Sequence, residues 1–251
     1  MKKFTHVYDY ILSFLDAKTP TEKLTIVETE KRHSCMPSYG MIHMFYIVQF
    51  SDDFIIASIP LNTSEKTKLF LHENICMYDI DDNHFVSSLK ELANEEAYKL
   101  FNKQIKGHWN SLIFACDAET LAKPNPDINT VRIIDERYEC SEDVNFPDHC
   151  IPEGIIYSVV ENNKIVSLAH AHKTEEFQEI VADIGVDTSS DYRKRGYARE
   201  CVNSVARHAI ETGGESVYIC SPNNIASINT ALSAGYVPFG KILVFTIDPD
   251  E

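Results

Sequence analysis

The stretch from Asp183 to Ala198 constrains this chain more than any other. It opens with Asp183-Ile184-Gly185-Val186-Asp187-Thr188, a run with an apolar centre, and continues through the polar Ser189-Ser190-Asp191-Tyr192. It closes on Arg193-Lys194-Arg195-Gly196-Tyr197-Ala198. Downstream, Ala198, Cys201, Val202, Val205, Ala206 and Ala209 fall on one helical face, and Gly213-Gly214 ends that run. The pattern predicts a strand, a glycine turn and a helix in direct succession. A helix N-terminus carries N–H groups that the helix itself cannot use, and its dipole favours an anion there. Gly196 leaves room for backbone to approach a ligand, and Arg193 and Arg195 can bind phosphate oxygens in a fork. On spacing alone, a built anion site and a solvated basic turn opening an ordinary helix are equally supported.

Charge sharpens the contrast. The 251 residues carry a net charge of −15, so three adjacent cations are a local exception. Strong acidity argues against nucleic acid and anionic membrane surfaces as partners. An apolar fraction of 44% is enough for packed cores. Seven cysteines at wide spacings without a C-x-x-C pair suggest neither a disulfide framework nor a zinc site, and no metal is expected. The N-terminal run lacks a signal-peptide core, and no apolar run reaches membrane-spanning length, so a cytoplasmic protein is expected.

The organisation reads as mixed α/β. Phe4 to Leu15 has helical spacing, Met41–Phe50 and Phe54–Ile59 read as a hairpin, and Phe85–Phe101 reads as an amphipathic helix. Lys123-Pro124-Asn125-Pro126-Asp127 is the clearest punctuation, because two prolines in a polar run exclude a central strand. It predicts a boundary between an N-terminal α/β domain, 1–126, and a second domain, 127–251. The second domain reads β-β-β-α-β-α-β, with a hairpin over 154–172, a strand over 179–187 and a helix starting near Asn224.

Two sets of residues carry a family resemblance. Arg193-x-x-Gly196-x-Ala198 is similar to the Arg/Gln-x-x-Gly-x-Gly/Ala signature of the GCN5-related N-acetyltransferase (GNAT) superfamily. Asn224-x-x-Ser227, Ala231 and Gly235-Tyr236 follow in the expected order. The set most resembles the zwittermicin-resistance-type and FR47-like branch, and it covers about the last 120 residues. The resemblance implies a central mixed sheet flanked by helices, with acetyl-CoA as co-substrate between two parallel strands that splay apart. Val186 and Thr188 would then pair with the pantetheine. The turn Arg193, Lys194, Arg195, Gly196, Tyr197 and Ala198 would hold the pyrophosphate, and Asn224 and Ser227 would sit beside the cofactor. Asn224 reads equally well as a helix N-cap. The N-terminal half lacks the signature turn and is expected to be a degenerate copy of the fold or a divergent α/β domain on the acceptor side.

Direct transfer of an acetyl group needs a base for the amine and an acid for the leaving thiolate. Asp183 and Glu179 are the candidate bases, and Tyr236 is a candidate acid that could equally be a core aromatic. The family's usual acid position, seven residues after the motif Asn, holds Ala231 here. His170 and His172 share a strand face and could bind a metal, act as a base or merely line a cavity. Cys201 and Cys220 read as buried small hydrophobes. The expected activity is transfer of acetyl to a primary amine of a small molecule. A non-catalytic acyl-CoA or metabolite-binding module is the alternative. A Rossmann-type nucleotide binder is disfavoured by the missing G-x-G-x-x-G. A homodimer is entertained without a sequence feature that demands it.

Overall fold

The computed structural model describes residues 4–36, 40–75, 77–145, 154–171 and 181–250. In chain order the elements are α1 (Thr5–Leu15), β1 (Leu24–Thr29), β2 (Cys35–Met36), β3 (Met41–Phe50), β4 (Ile55–Pro60), α2 (Glu65–Asn74) and α3 (Asn83–Phe101). They continue with β5 (Gly107–Cys116), β6 (Val131–Arg132), β7 (Glu139–Cys140), β8 (Ile155–Glu161), β9 (Lys164–Ala171), β10 (Val181–Thr188), α4 (Tyr197–Glu211), β11 (Glu215–Cys220), α5 (Ile225–Ala234) and β12 (Val237–Ile247). The architecture is mixed α/β, with mixed sheet flanked by helices. No described helix is long and apolar enough to cross a membrane.

The chain packs into two compact units, each made of two segments. The first is Met1–Tyr10 with Ile113–Pro238, and the second is Ile11–Leu112 with Phe239–Glu251. The Lys123–Asp127 run, expected to separate two domains at 126, lies inside the first unit.

In the second unit, β1 runs parallel to β4, β4 pairs antiparallel with β3, and β3 pairs antiparallel with β12. The inward sides of these strands and of α2 and α3 form one apolar core that includes Phe45, Ile47, Leu71, Phe85, Leu89, Leu243 and Phe245. The N-terminus of α2 is closed by Glu96 of α3, which accepts from Ser64 N (3.0 Å) and Thr67 Oγ1 (2.8 Å). This satisfies donors that the helix leaves orphaned.

The first unit holds the predicted strand–turn–helix. Its strand order is β5-β11-β10-β9-β8-β6. β8 and β9 form the predicted hairpin, β9 pairs antiparallel with β10, and β10 pairs parallel with β11. α4 lies on β8, β9 and β10 and also packs against α5. Cys201, Val202, Val205, Ala206 and Ala209 of the predicted apolar face are buried, together with the polar Glu200 and Asn203, while Ala198 is only partly covered. Asn224 caps α5 by accepting from Ser227 N at 3.1 Å. Gly235 ends α5 at φ 101°, and its N–H closes on the last helical carbonyls. A Cβ at Gly235 would collide with the carbonyl oxygen of Thr120 and the amide nitrogen of Ala122, both backbone atoms that cannot yield. Gly235→Ala is therefore expected to destabilise the protein by more than about 2 kcal/mol, read as a lower urea midpoint at an unchanged m-value.

Candidate functional site

The site begins where two parallel strands part. β10 and β11 are paired only at Val181↔Glu215, Ala182↔Ser216 and Asp183↔Val217, although β10 runs on to Thr188 and β11 to Cys220. Ser189 N donates to Val166 O on β9 (2.9 Å), whereas Ala182 O accepts from Ser216 Oγ on β11 (2.9 Å). Main-chain direction alternates along a strand. Asp187 and Gly185 therefore point their amide groups towards β9, and Val186 and Thr188 point theirs towards the edge that β11 has left. At Thr188 these groups are already engaged: its N–H donates to Asp187 Oδ1 (2.7 Å) and its carbonyl accepts from Arg193 Nε (3.1 Å). Val186 is left as the strand residue whose peptide groups face the open edge.

Beyond β10 a short 3-10 turn, Ser190–Tyr192, is pinned by Asp143, whose Oδ2 accepts from Ser190 N at 2.7 Å. Donors from Ser190 and Ser189 hold the Asp143 carboxyl down at about 2. The chain then takes φ −65° at Arg193, +62° at Lys194 and +82° at Gly196, and α4 starts. Alternation of backbone sign folds successive N–H groups inward to form an anion-binding concavity. The first helical bond is Glu200 N to Gly196 O (3.2 Å), and the N–H groups of residues 194–199 have no hydrogen-bond partner among the described residues. A helix dipole stands behind that row of donors.

These features open into one cleft of about 760 Å³. Val186 and Thr188 line it from β10. Arg193, Lys194, Gly196, Tyr197 and Ala198 line it from the turn and α4, and Asn224 and Ser227 line it from α5. These nine residues are nine of the ten that sequence reasoning placed beside a cofactor. Arg195, the tenth, is not among the lining residues. Its guanidinium lies over the Tyr192 ring (4.9 Å) and donates to Asp191 O (3.0 Å). The left-handed Lys194 turns the following side chain away from the cleft. Tyr197 presents its ring to the cleft while its hydroxyl donates to Glu161 Oε1 (2.6 Å). Asn224 is both the cap of α5 and a wall of the cleft.

The candidate catalytic residues separate. Asp183 stands at the last rung before the strands part. Desolvation by burial pushes its carboxyl up to about 6, although Tyr10 Oη donates to its Oδ2 at 3.0 Å. Tyr236 is buried beneath β11, not beside the cleft. Its hydroxyl meets Ser216 Oγ (2.5 Å), and Ser216 in turn donates to Ala182 O. Burial pushes its phenol well above the ordinary value. The left-handed Gly235 directs Tyr236 inward, which corrects its assignment as an acid at the cleft. Glu179 and His172 lie outside the described residues. His170 faces Gly185 across β9 and β10, and its imidazole fills the space that a Cβ at Gly185 would need. The Cys201 thiol is fully buried and is pushed up to about 12, and burial also raises that of Cys220, so neither is poised as a thiolate.

Sequence reasoning missed Tyr218. It sits on β11 one residue past the last rung and lines the cleft, and its hydroxyl lies 2.7 Å from Ser227 Oγ. Burial pushes its phenol up to about 12, so it keeps its proton at neutral pH. The available signal was its position: one residue beyond Val217, in the strand expected to line the splay.

Comparison with known proteins gives one family-model match and several likenesses to solved structures. Residues 121–236 match the model of the Acetyltransferase (GNAT) family. The match covers a little under half of the chain and encloses β10, the turn, α4, β11 and α5. No curated protein matches the chain. Among solved structures, it is similar to a GNAT-family acetyltransferase from Colwellia psychrerythraea, with 13% identity, 98% of each chain covered and TM-score 0.47. It is also similar to a GCN5-related N-acetyltransferase from Kribbella flavida, with 14% identity, 66% of this chain and 74% of that chain covered and TM-score 0.42. A GCN5-related N-acetyltransferase-like protein from Streptococcus suis 89/1591 gives 14% identity, 65% and 68% covered and TM-score 0.40.

Proposed function

We propose that this chain is an acetyl-CoA-dependent N-acetyltransferase that moves an acetyl group directly to a primary amine of a small molecule. The observation that carries this reading is the parting of β10 from β11 after Asp183, with an open peptide edge at Val186 leading straight to the donor row of residues 194–199. A thioester cofactor with amide groups along its arm and a pyrophosphate at its end matches that sequence of features. The pantetheine amides would pair with Val186 as a strand pairs with its neighbour, and the pyrophosphate would take the N–H row and the Arg193 fork.

In the transfer, Asp183 takes a proton from the acceptor ammonium, and the freed amine nitrogen attacks the thioester carbon. As the C–N bond forms, the C–S bond breaks and Tyr218 gives its proton to the leaving sulfur; the acylated nitrogen then sheds its remaining extra proton, which returns to the Tyr218 oxygen and leaves a neutral amide. Tyr218→Phe is expected to lower kcat about 10- to 100-fold while KM for acetyl-CoA stays within about threefold, because only the leaving step loses a donor. Steady-state kinetics across pH measures this, and an unchanged kcat would remove Tyr218 from the reaction. The motif Asn224-x-x-Ser227 with Ala231 resembles that of the zwittermicin-resistance-type and FR47-like branch.

A second reading, a non-catalytic acyl-CoA or metabolite-binding module, is favoured by Ala231 at the usual acid position and by the burial of Tyr236. Amine-dependent release of free thiol from acetyl-CoA would eliminate it. An aliphatic, aminated-antibiotic, polyamine and amino-acid panel is the appropriate set of acceptors.

A further inference from the structure

The N-terminal helix reaches the splay point. Val7 N, one of the first-turn N–H groups that α1 cannot satisfy, donates to Glu215 Oε2 of β11 at 2.8 Å. Three residues on, Tyr10 falls on the same helix face. Its hydroxyl donates to Asp183 Oδ2 at 3.0 Å. Val7 is fully buried and Tyr10 is 3% exposed, so the helix turn is locked in place at both contacts. The acceptors match the spacing: Glu215 pairs with Val181 and Val217 pairs with Asp183, two residues apart along parallel strands.

We propose that Tyr10 is a positioning residue for the base Asp183: it fixes the carboxylate through Oδ2 and leaves Oδ1, which makes no hydrogen bond among the described residues, to receive the acceptor's proton. This rests on the acetyltransferase reading above. A phenol that donates to one carboxylate oxygen holds the side chain in one rotamer, and removing it costs orientation before it costs stability. The hydrogen bond also favours the ionised carboxylate against the desolvation that opposes it. Other ionisable groups on this face are His170 from β9 over Gly185, Asp187 further along β10 and Glu215 from β11. Asp187 is occupied by the N–H groups of Asn145 (2.9 Å) and Thr188, and Glu215 by that of Val7. Tyr236 is held on Ser216.

The test is the pH profile of kcat/KM for amine acetylation in wild type, Tyr10→Phe and Asp183→Asn. Loss of the donor raises the base's pKa. Tyr10→Phe is therefore expected to move the acid limb to higher pH, with a loss of about tenfold at pH 6, a loss of about threefold or less at pH 9 and an unchanged KM for acetyl-CoA. A merely structural Tyr10 would lower activity evenly and leave the acid limb in place, and that result overturns the proposal. Should Tyr10→Phe fold poorly, 3-fluorotyrosine at position 10 keeps the shape and strengthens the donor. The acid limb should then move to lower pH, and no movement overturns the proposal. If Asp183→Asn retains the wild-type acid limb, the base assignment itself fails. If Asp183→Asn loses the limb while Tyr10→Phe leaves it unmoved, the role of Tyr10 alone fails.

Discussion

Asp183→Asn is expected to lower amine-dependent turnover by about 10²- to 10⁴-fold while leaving acetyl-CoA affinity within a few-fold. The same substitution is expected to make the folded protein more stable at neutral pH. Burial pushes the carboxyl from its usual 3.8 up to about 6. The folded state therefore holds this proton more tightly than the unfolded chain does. Between about pH 4 and 6 the folded state binds more protons, so raising the pH through that window costs stability, and the full cost is present above it. An amide of the same shape carries no charge to desolvate. The gain at pH 7 should be of order 1–3 kcal/mol, and it should vanish near pH 4. Thermal unfolding of both proteins across that range measures it. A buried carboxylate that lowers stability when ionised, at the rung where β10 and β11 part, fits the proposed catalytic role better than a structural one. An Asn variant that is less stable than wild type at pH 7 would place Asp183 among structural carboxylates.

Gly196→Glu is expected to weaken acetyl-CoA binding at least about 100-fold. Two effects add. Gly196 has φ +82°, a conformation that costs an L-residue about 1–2 kcal/mol. The new carboxylate would also stand at the start of α4, among the N–H groups proposed to meet the pyrophosphate, and would repel it. Gly196→Ala separates the two effects. Its Cβ meets only Ile128 Cδ1 at 3.4 Å, an ordinary contact, so strain alone remains. The Ala variant should bind no more than about tenfold more weakly than wild type. Calorimetric titration of wild type and both variants measures the difference. Equal affinity in wild type and the Glu variant would detach the turn from the cofactor.

Local signals made much of the site readable. Period-two alternation in 183–188 and helical spacing after Ala198 set the strand and the helix, and Gly196 and Gly235 mark left-handed turns that few other residues adopt without strain. Asn224 announced a helix start that the structure also uses as a cleft wall. What stayed hidden depended on direction. Alternation tells which side chains share a face, but not that the peptide groups of Thr188 would be met by Asp187 and Arg193, leaving Val186 open. Three adjacent cations looked equivalent until the left-handed Lys194 turned Arg195 onto Tyr192. Tyr218 and Tyr236 stand 5.7 Å apart, ring to ring, yet one lines the cleft and the other lies in the core. The difference is one of strand phase and of the turn at Gly235. The helical spacing of Phe4 to Leu15 shows an apolar face but not its docking partner, so the Tyr10–Asp183 bond had no local signature. The same holds for the two-segment units, in which the divisions fall inside α1, β5 and β12 and not at the prolines.

The central proposal is that the parted strands and the turn after them serve acetyl transfer. Its most direct measurement is free-thiol release from acetyl-CoA by the full chain against the broad amine panel, run beside Asp183→Asn. Release should depend on at least one amine and be lost in the variant. Saturable acetyl-CoA binding by the wild type with no amine-dependent release would contradict it.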